Sequence, residues 1–185
     1  RFGVELVSKI IDTNNPKWEK QIYNLFDLLT NELLMWPNEN CAIHFHVNGT
    51  GLPSYVLINL INLWRRIEAT VFRLSIGELG YHRGSVRKSF LYCRPIDKPL
   101  VISDGDNFRP SYGVDCLLSA RHLSEFYAAY GNTPININPS KYSAPRYGAL
   151  NLFSFVSQGS IEFRTFNLTS RPEYVIAWAN LCKAI

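Results

Sequence analysis

Residues 160–168, SIEFRTFNL, alternate apolar and polar side chains as a strand does, with Ile161 and Phe163 on one face and Glu162 and Arg164 on the other. One face of such a strand suits a core; the opposite face carries an acid and a base two residues apart. The same design appears twice more. In CAIHFHVNGTG (41–51), Cys41, Ile43, Phe45 and Val47 point one way while His44, His46 and Asn48 point the other. In FGVELV (2–7), Phe2, Val4 and Leu6 alternate against Gly3, Glu5 and Val7, with Glu5 the single charge. A wet face is ordinary in an antiparallel sheet, but three strands that each oppose an apolar face to ionisable or ligating groups point to a shared site.

The chain has 185 residues, a length that suits one domain over 1–185 with a single core. It begins at Arg1 and stops at LCKAI while a helical pattern is still running, so further chain is expected at either end or around residue 5. With 46% hydrophobic and 18% charged residues, the composition is that of an ordered globular protein. A formal charge of +4 favours anionic partners, yet the arginines beyond Arg1 are dispersed from Arg65 to Arg171. That distribution suits short anions such as nucleotide phosphates and argues against nucleic acid, which calls for a dense basic stripe. Cysteines at 41, 93, 116 and 182 lack C-x-x-C spacing, which implies reduced thiols and a cytoplasmic protein. No apolar run approaches the roughly 20 residues that cross a bilayer.

Between the strands the periodicity turns helical. NNPKWEKQIYNLFDLLTNELLMW carries an asparagine cap, Pro16 at the first helical position and a stripe of Trp18, Ile22, Leu25, Leu29 and Leu33, ended by Pro37. A second helix opens at Pro53 and places Leu57, Leu60, Ile61, Trp64, Ile67, Val71 and Leu74 on one side. Residues 77–110 read as a long ordered loop, 112–130 as a helix closed by Gly131, and NTPININPSKYSAP as loop again. RYGALNLFSF and SIEFRTFNL read as two strands joined by a hairpin at VSQGS, with a last helix from Pro172. Strands that are few and irregularly interleaved with helices favour an α+β fold, mainly an antiparallel sheet with helices on one face.

Glutamates and neutral imidazoles are ligands for divalent ions, and Mg2+ commonly takes one or two carboxylates together with substrate phosphates. Arg164, two residues from Glu162 on the same face, would hold a phosphate by charge-assisted bonds. Cupins also use an H-x-H strand but need a glutamate shortly after it, which HFHVNGTGLPSY lacks. The amidohydrolase barrel needs more strands than this chain offers. A Cys41 nucleophile is disfavoured because alternation turns its thiol away from both histidines. With no G-x-G-x-x-G or Walker loop, any ATP would be held by the sheet and its metals.

The set FGVE, CAIHFHV, RKSFLYCRP, RYGALNL and SIEFRTFNLTS, in that order, resembles the amidoligases, a family related in fold to glutamine synthetase. The resemblance spans nearly the whole chain. It implies a glutamine synthetase-like catalytic domain and an ATP-dependent ligase that joins a small-molecule or peptide carboxylate to an amine through an acyl phosphate, with ATP and Mg2+ as cofactors. It makes Glu5, His44, His46 and Glu162 metal or ATP-phosphate ligands. Arg164 and Arg146 would neutralise phosphate oxygens, Asn151 would orient them, and Arg87 would come from the loop. Ala42 stands where the family has glycine and Ser160 where it has threonine. FGVELVSKI also runs together two motifs that members separate by tens of residues, so Glu5 belongs to either. Two alternatives stand beside the ligase: a non-catalytic binding or scaffolding domain built on the same sheet, and a metal-dependent hydrolase built on His44-x-His46. Oligomerisation is compatible with all three.

Overall fold

The computed structural model describes residues 5–37, 41–75, 93, 95–96, 101–104, 107–110 and 148–185. In chain order these form α1 (Trp18–Asp27), β1 (Ala42–Asn48), α2 (Ser54–Leu74), β2 (Val101–Asp104), β3 (Asn107–Pro110), β4 (Leu150–Asn151), α3 (Phe153–Gln158), β5 (Ser160–Asn167) and α4 (Pro172–Ala184). The helix expected over 112–130, Arg87 and Arg146 lie outside the described residues.

The strand read at 160–168 is the centre of the fold. β5 lies between β1 and β4 in a three-stranded sheet, antiparallel to both. Its Ile161, Phe163 and Phe166 are buried on the face that α2 and α4 cover, where Trp64 meets Phe163 at 5.4 Å and Trp178 meets Phe166 at 5.1 Å between ring centroids. On β1 the expected alternation holds: Ile43, Phe45 and Val47 are half-buried while Ala42, His44, His46 and Asn48 are exposed. Ile43 and Phe45 also border a second cluster, in which Trp18, Ile22 and Phe26 of α1 pack against Val175 and Ile176 of α4. Helices α1, α2 and α4 therefore share the apolar side of the sheet, and the protein is a small α+β fold. Among the described residues, no helix is long and apolar enough to cross a membrane.

Strict alternation would have put Phe166 on the same face as Glu162. The register prevents this: Phe45 pairs with Phe163 and Ile43 with Phe166, so His44 alone faces two residues, Arg164 and Thr165. This is a β-bulge, which inserts one residue and resets the alternation beyond it. Phe166 is thereby delivered to the core, edge-on to Phe45 at 5.2 Å.

Several sequence readings are corrected. Residues 5–7 are irregular and exposed, so the described part of the expected first strand forms none, and Glu5 stands in solvent. Within the described residues 148–155, the expected strand forms at Leu150–Asn151 and gives way to α3, so β4 and β5 are joined by a short helix and not by a hairpin. A brief apolar run such as LFSFV does not distinguish strand from helix by period alone; Gly159, at φ +70°, supplies the left-handed cap that ends α3 and starts β5. Within the expected loop 77–110, β2 and β3 pair as an antiparallel hairpin from Val101↔Pro110 to Asp104↔Asn107.

The first helix departs too. Only Trp18, Ile22 and Phe26 are buried, a straight i+4 row, whereas Leu25 and Leu33 are exposed. Beyond Asp27 the chain makes a π-helical turn over Leu28–Glu32, with Leu33 N–H donating to Leu28 O at 2.9 Å and the Thr30 hydroxyl donating to Phe26 O at 2.7 Å. The extra residue in that turn rotates the following leucines off the buried row. Leu34 then closes the helix at φ +51°, with Met35 N–H donating to Leu29 O at 2.8 Å.

Two stability measurements follow from these features. Leu34 is 71% exposed and held left-handed, so Leu34→Gly is expected to raise unfolding free energy by about 0.5 kcal/mol, the relief of side-chain strain less the added freedom of the unfolded chain. The Thr165 hydroxyl in the bulge is buried without a hydrogen-bond partner. Thr165→Val should therefore be neutral or stabilising by up to about 1 kcal/mol in urea unfolding, and a loss of that size would contradict the assignment.

Candidate functional site

The face of the sheet opposite the helices carries one charged row. His46 of β1 pairs with Glu162 of β5, and Glu162 pairs on its other side with Asn151 of β4, so three strands place three polar side chains abreast. His44 and Arg164 form the next rung, at the bulge.

Glu162 is the hub. Its Oε2 accepts hydrogen bonds from Asn151 Nδ2 and from the Ser154 hydroxyl at 3.0 Å. Its Oε1 accepts from Arg164 Nη1 at 2.7 Å, with His44 Nδ1 at 3.1 Å and His46 Nε2 at 3.6 Å. His46 is steadied through Nδ1, 3.1 Å from the Ser160 hydroxyl. Asn151 in turn donates to the Ser154 hydroxyl at 3.1 Å, and Arg164 N–H donates to Ala149 O at 2.9 Å, which ties the bulge to the edge of β4.

Burial is the largest influence on Glu162 and by itself would push the carboxyl up. The hydrogen bond to His44, the charge of Arg164, the amide of Asn151 and the charge interaction with His44 outweigh it and hold the group down at about 2. At neutral pH this is a permanent anion, enclosed by donors.

Of the residues expected to form a site, the structure brings His44, His46, Asn151, Glu162 and Arg164 together. Glu5 is exposed on irregular chain, and Arg87 and Arg146 lie outside the described residues. Among the described residues, no group of three or more His, Cys, Asp or Glu side chains is disposed to hold a metal ion. Both oxygens of Glu162 are committed to protein donors, one of them a guanidinium, so this donor set does not fit a resident divalent cation. Arg164 and the two imidazoles converge on Oε1 of Glu162, so one acid and one base meet with two histidines at their side. Ser154 does not stand out in the sequence because LFSF reads equally as strand, and alternation would then turn it to the face opposite Asn151.

The depressed Glu162 fixes the sign of a pH effect. A carboxyl lowered from 4.5 to about 2 contributes stability that is present above pH 4.5 and is lost as pH falls toward 2. Glu162→Gln should cost on the order of 3 kcal/mol at pH 7, since it removes the buried negative charge that meets the Arg164 guanidinium. The gap from wild type should narrow between pH 4.5 and 2; denaturant melts across that range check it, and a constant gap would refute the pairing.

No curated protein and no solved structure matches the chain. The family model described as "Putative amidoligase enzyme" matches residues 1–185. A carboxylate-anchored arginine flanked by histidines, on the polar face of an antiparallel sheet, thus sits in a chain that belongs to the amidoligase family.

Proposed function

We propose that the protein is an ATP-dependent carboxylate-amine ligase with a glutamine synthetase-like catalytic sheet. The observation that carries the reading is the Arg164 guanidinium, 9% exposed and braced on Glu162 at 2.7 Å beside His44 and His46, in a chain of amidoligase type. Arginine offers a planar fork of donors that matches phosphate oxygens, and a brace on a fixed carboxylate removes the cost of orienting it during reaction.

In this proposal Mg2+ enters as the partner ion of ATP, as part of the substrate. A carboxylate oxygen of the acid attacks the γ-phosphorus and ADP departs. The amine then attacks the acyl carbon, phosphate leaves with the carboxylate oxygen it acquired, and the amine nitrogen loses a proton to give the amide. Arg164 and the imidazole edges meet the charge that spreads over the transferring phosphoryl group. Glu162, Asn151 and Ser154 hold that array in place. Arg87 and Arg146 are proposed as further phosphate contacts. Substrates are a carboxylate and an amine, small or peptidic.

The full-length protein with ATP, Mg2+ and paired acid and amine panels should release ADP only when both acceptors are present. An 18O label in the acid should appear in inorganic phosphate. Arg164→Ala should lower turnover by roughly 100-fold or more, and Arg164→Lys should recover part of it. ADP release indifferent to the amine, or no binding of ATP at millimolar Mg2+, would reject the ligase. The commitment of both Glu162 oxygens to protein donors favours one second reading, a binding domain; ATP bound without turnover on any acceptor pair would support it.

A further inference from the structure

Among the described residues, Glu68 is buried as Glu162 is, but on the other side of the sheet. Glu68 lies on α2 at a position that the helix otherwise fills with apolar groups, in the buried series Leu57, Ile61, Trp64, Glu68 and Val71. A carboxylate there is costly unless donors meet it. Two of its donors come from different parts of the chain: Trp64 Nε1 donates to Oε1 at 2.6 Å, and Ile96 N–H donates to Oε1 and Oε2 at 3.0 and 3.1 Å. Glu68 therefore clasps the segment at Ile96 to α2.

What the clasp touches lies against the back of the site. Trp64 contacts Phe163, which sits between Glu162 and Arg164 in the sequence and at the edge of the bulge. Cys93 is buried in the same core as Trp64 and Phe163, and Ile96 packs on that core. The Cys93 thiol is pushed up to about 12 chiefly by burial, with Arg164 pulling it down and Glu68 and Glu162 adding to the rise, so these four groups share one neighbourhood.

We infer that Glu68 is a positioning residue for Arg164: by joining Ile96 to Trp64 it holds Cys93 and Ile96 in the core and keeps Trp64 packed on the Phe163 ring of β5, which fixes the strand where the bulge presents the guanidinium. The catalytic consequence rests on the proposed ligase; the positioning itself does not.

The test uses the full chain and two chemical probes mapped by mass spectrometry, iodoacetamide at Cys93 and phenylglyoxal at Arg164. Glu68→Met keeps the volume and removes the acceptor; Glu68→Gln keeps one oxygen and guards against a variant that fails to fold. With both variants folded by circular dichroism, Glu68→Met should label at least fivefold faster than wild type at both residues, and Glu68→Gln should fall between. Protection of Arg164 equal to wild type in folded Glu68→Met would overturn the inference, whatever happens at Cys93. A parallel Mg-ATP titration separates the two ideas. Wild type that binds no nucleotide rejects the ligase and leaves the labelling result standing, whereas wild-type binding with unchanged affinity in Glu68→Met overturns the link from clasp to site.

Discussion

A buried carboxylate needs donors on every side, and in this protein Glu162 draws them from three strands and a helix. Asn151 comes from β4, Ser154 from α3, Arg164 from the same strand and His44 from β1. Each donor arrives only if its element is correctly registered, so satisfying one side chain constrains the whole sheet. The short α3 makes sense in these terms. A tight hairpin between β4 and β5 would carry no side chain back over the strand, whereas one helical turn lets Ser154 reach Glu162 while Gly159 returns the chain.

The bulge at Arg164 and Thr165 reconciles two demands on β5. Phe163 and Phe166 are three residues apart and both are needed by the core, where they meet Trp64 and Trp178. Glu162 and Arg164 belong on the opposite, polar face, where Asn151 and His44 meet the carboxylate. Perfect alternation cannot serve both, and one extra residue can. The cost falls on Thr165, whose hydroxyl is buried without a partner. The site and the core are thus coupled through one irregularity: displacing Phe166 would turn the register that presents Arg164.

Much of the site was legible because strand periodicity is local. His44 and His46 opposite Ile43, Phe45 and Val47, and Glu162 opposite Ile161 and Phe163, follow from the pleat alone. Glu68 was not legible. Helical spacing from Leu57 and Trp64 reaches residue 68, but a glutamate in an amphipathic pattern reads as solvent-facing, and only the distant Ile96 N–H shows why a charge belongs there. The C-terminal part of the first helix is not legible for a related reason. Leu25, Leu29 and Leu33 keep a helical period in the sequence, but the π-turn that takes Leu33 off the row depends on hydrogen bonds that no hydrophobic pattern encodes.

By itself the sequence determined that this is an α+β protein, which residues of β1 and β5 share a polar face, and which family its ordered motifs belong to; all three rest on short-range alternation and on residue types in order. Tertiary structure alone decided that His46, Glu162 and Asn151 form one row, that a bulge sets Arg164 beside His44, and that Glu162 is saturated by protein donors. These are matters of register between strands far apart in the chain. A pattern of period two is unchanged by sliding one strand two residues along another, and only the packing of Phe45, Phe163 and Phe166 against the helices selects a single alignment.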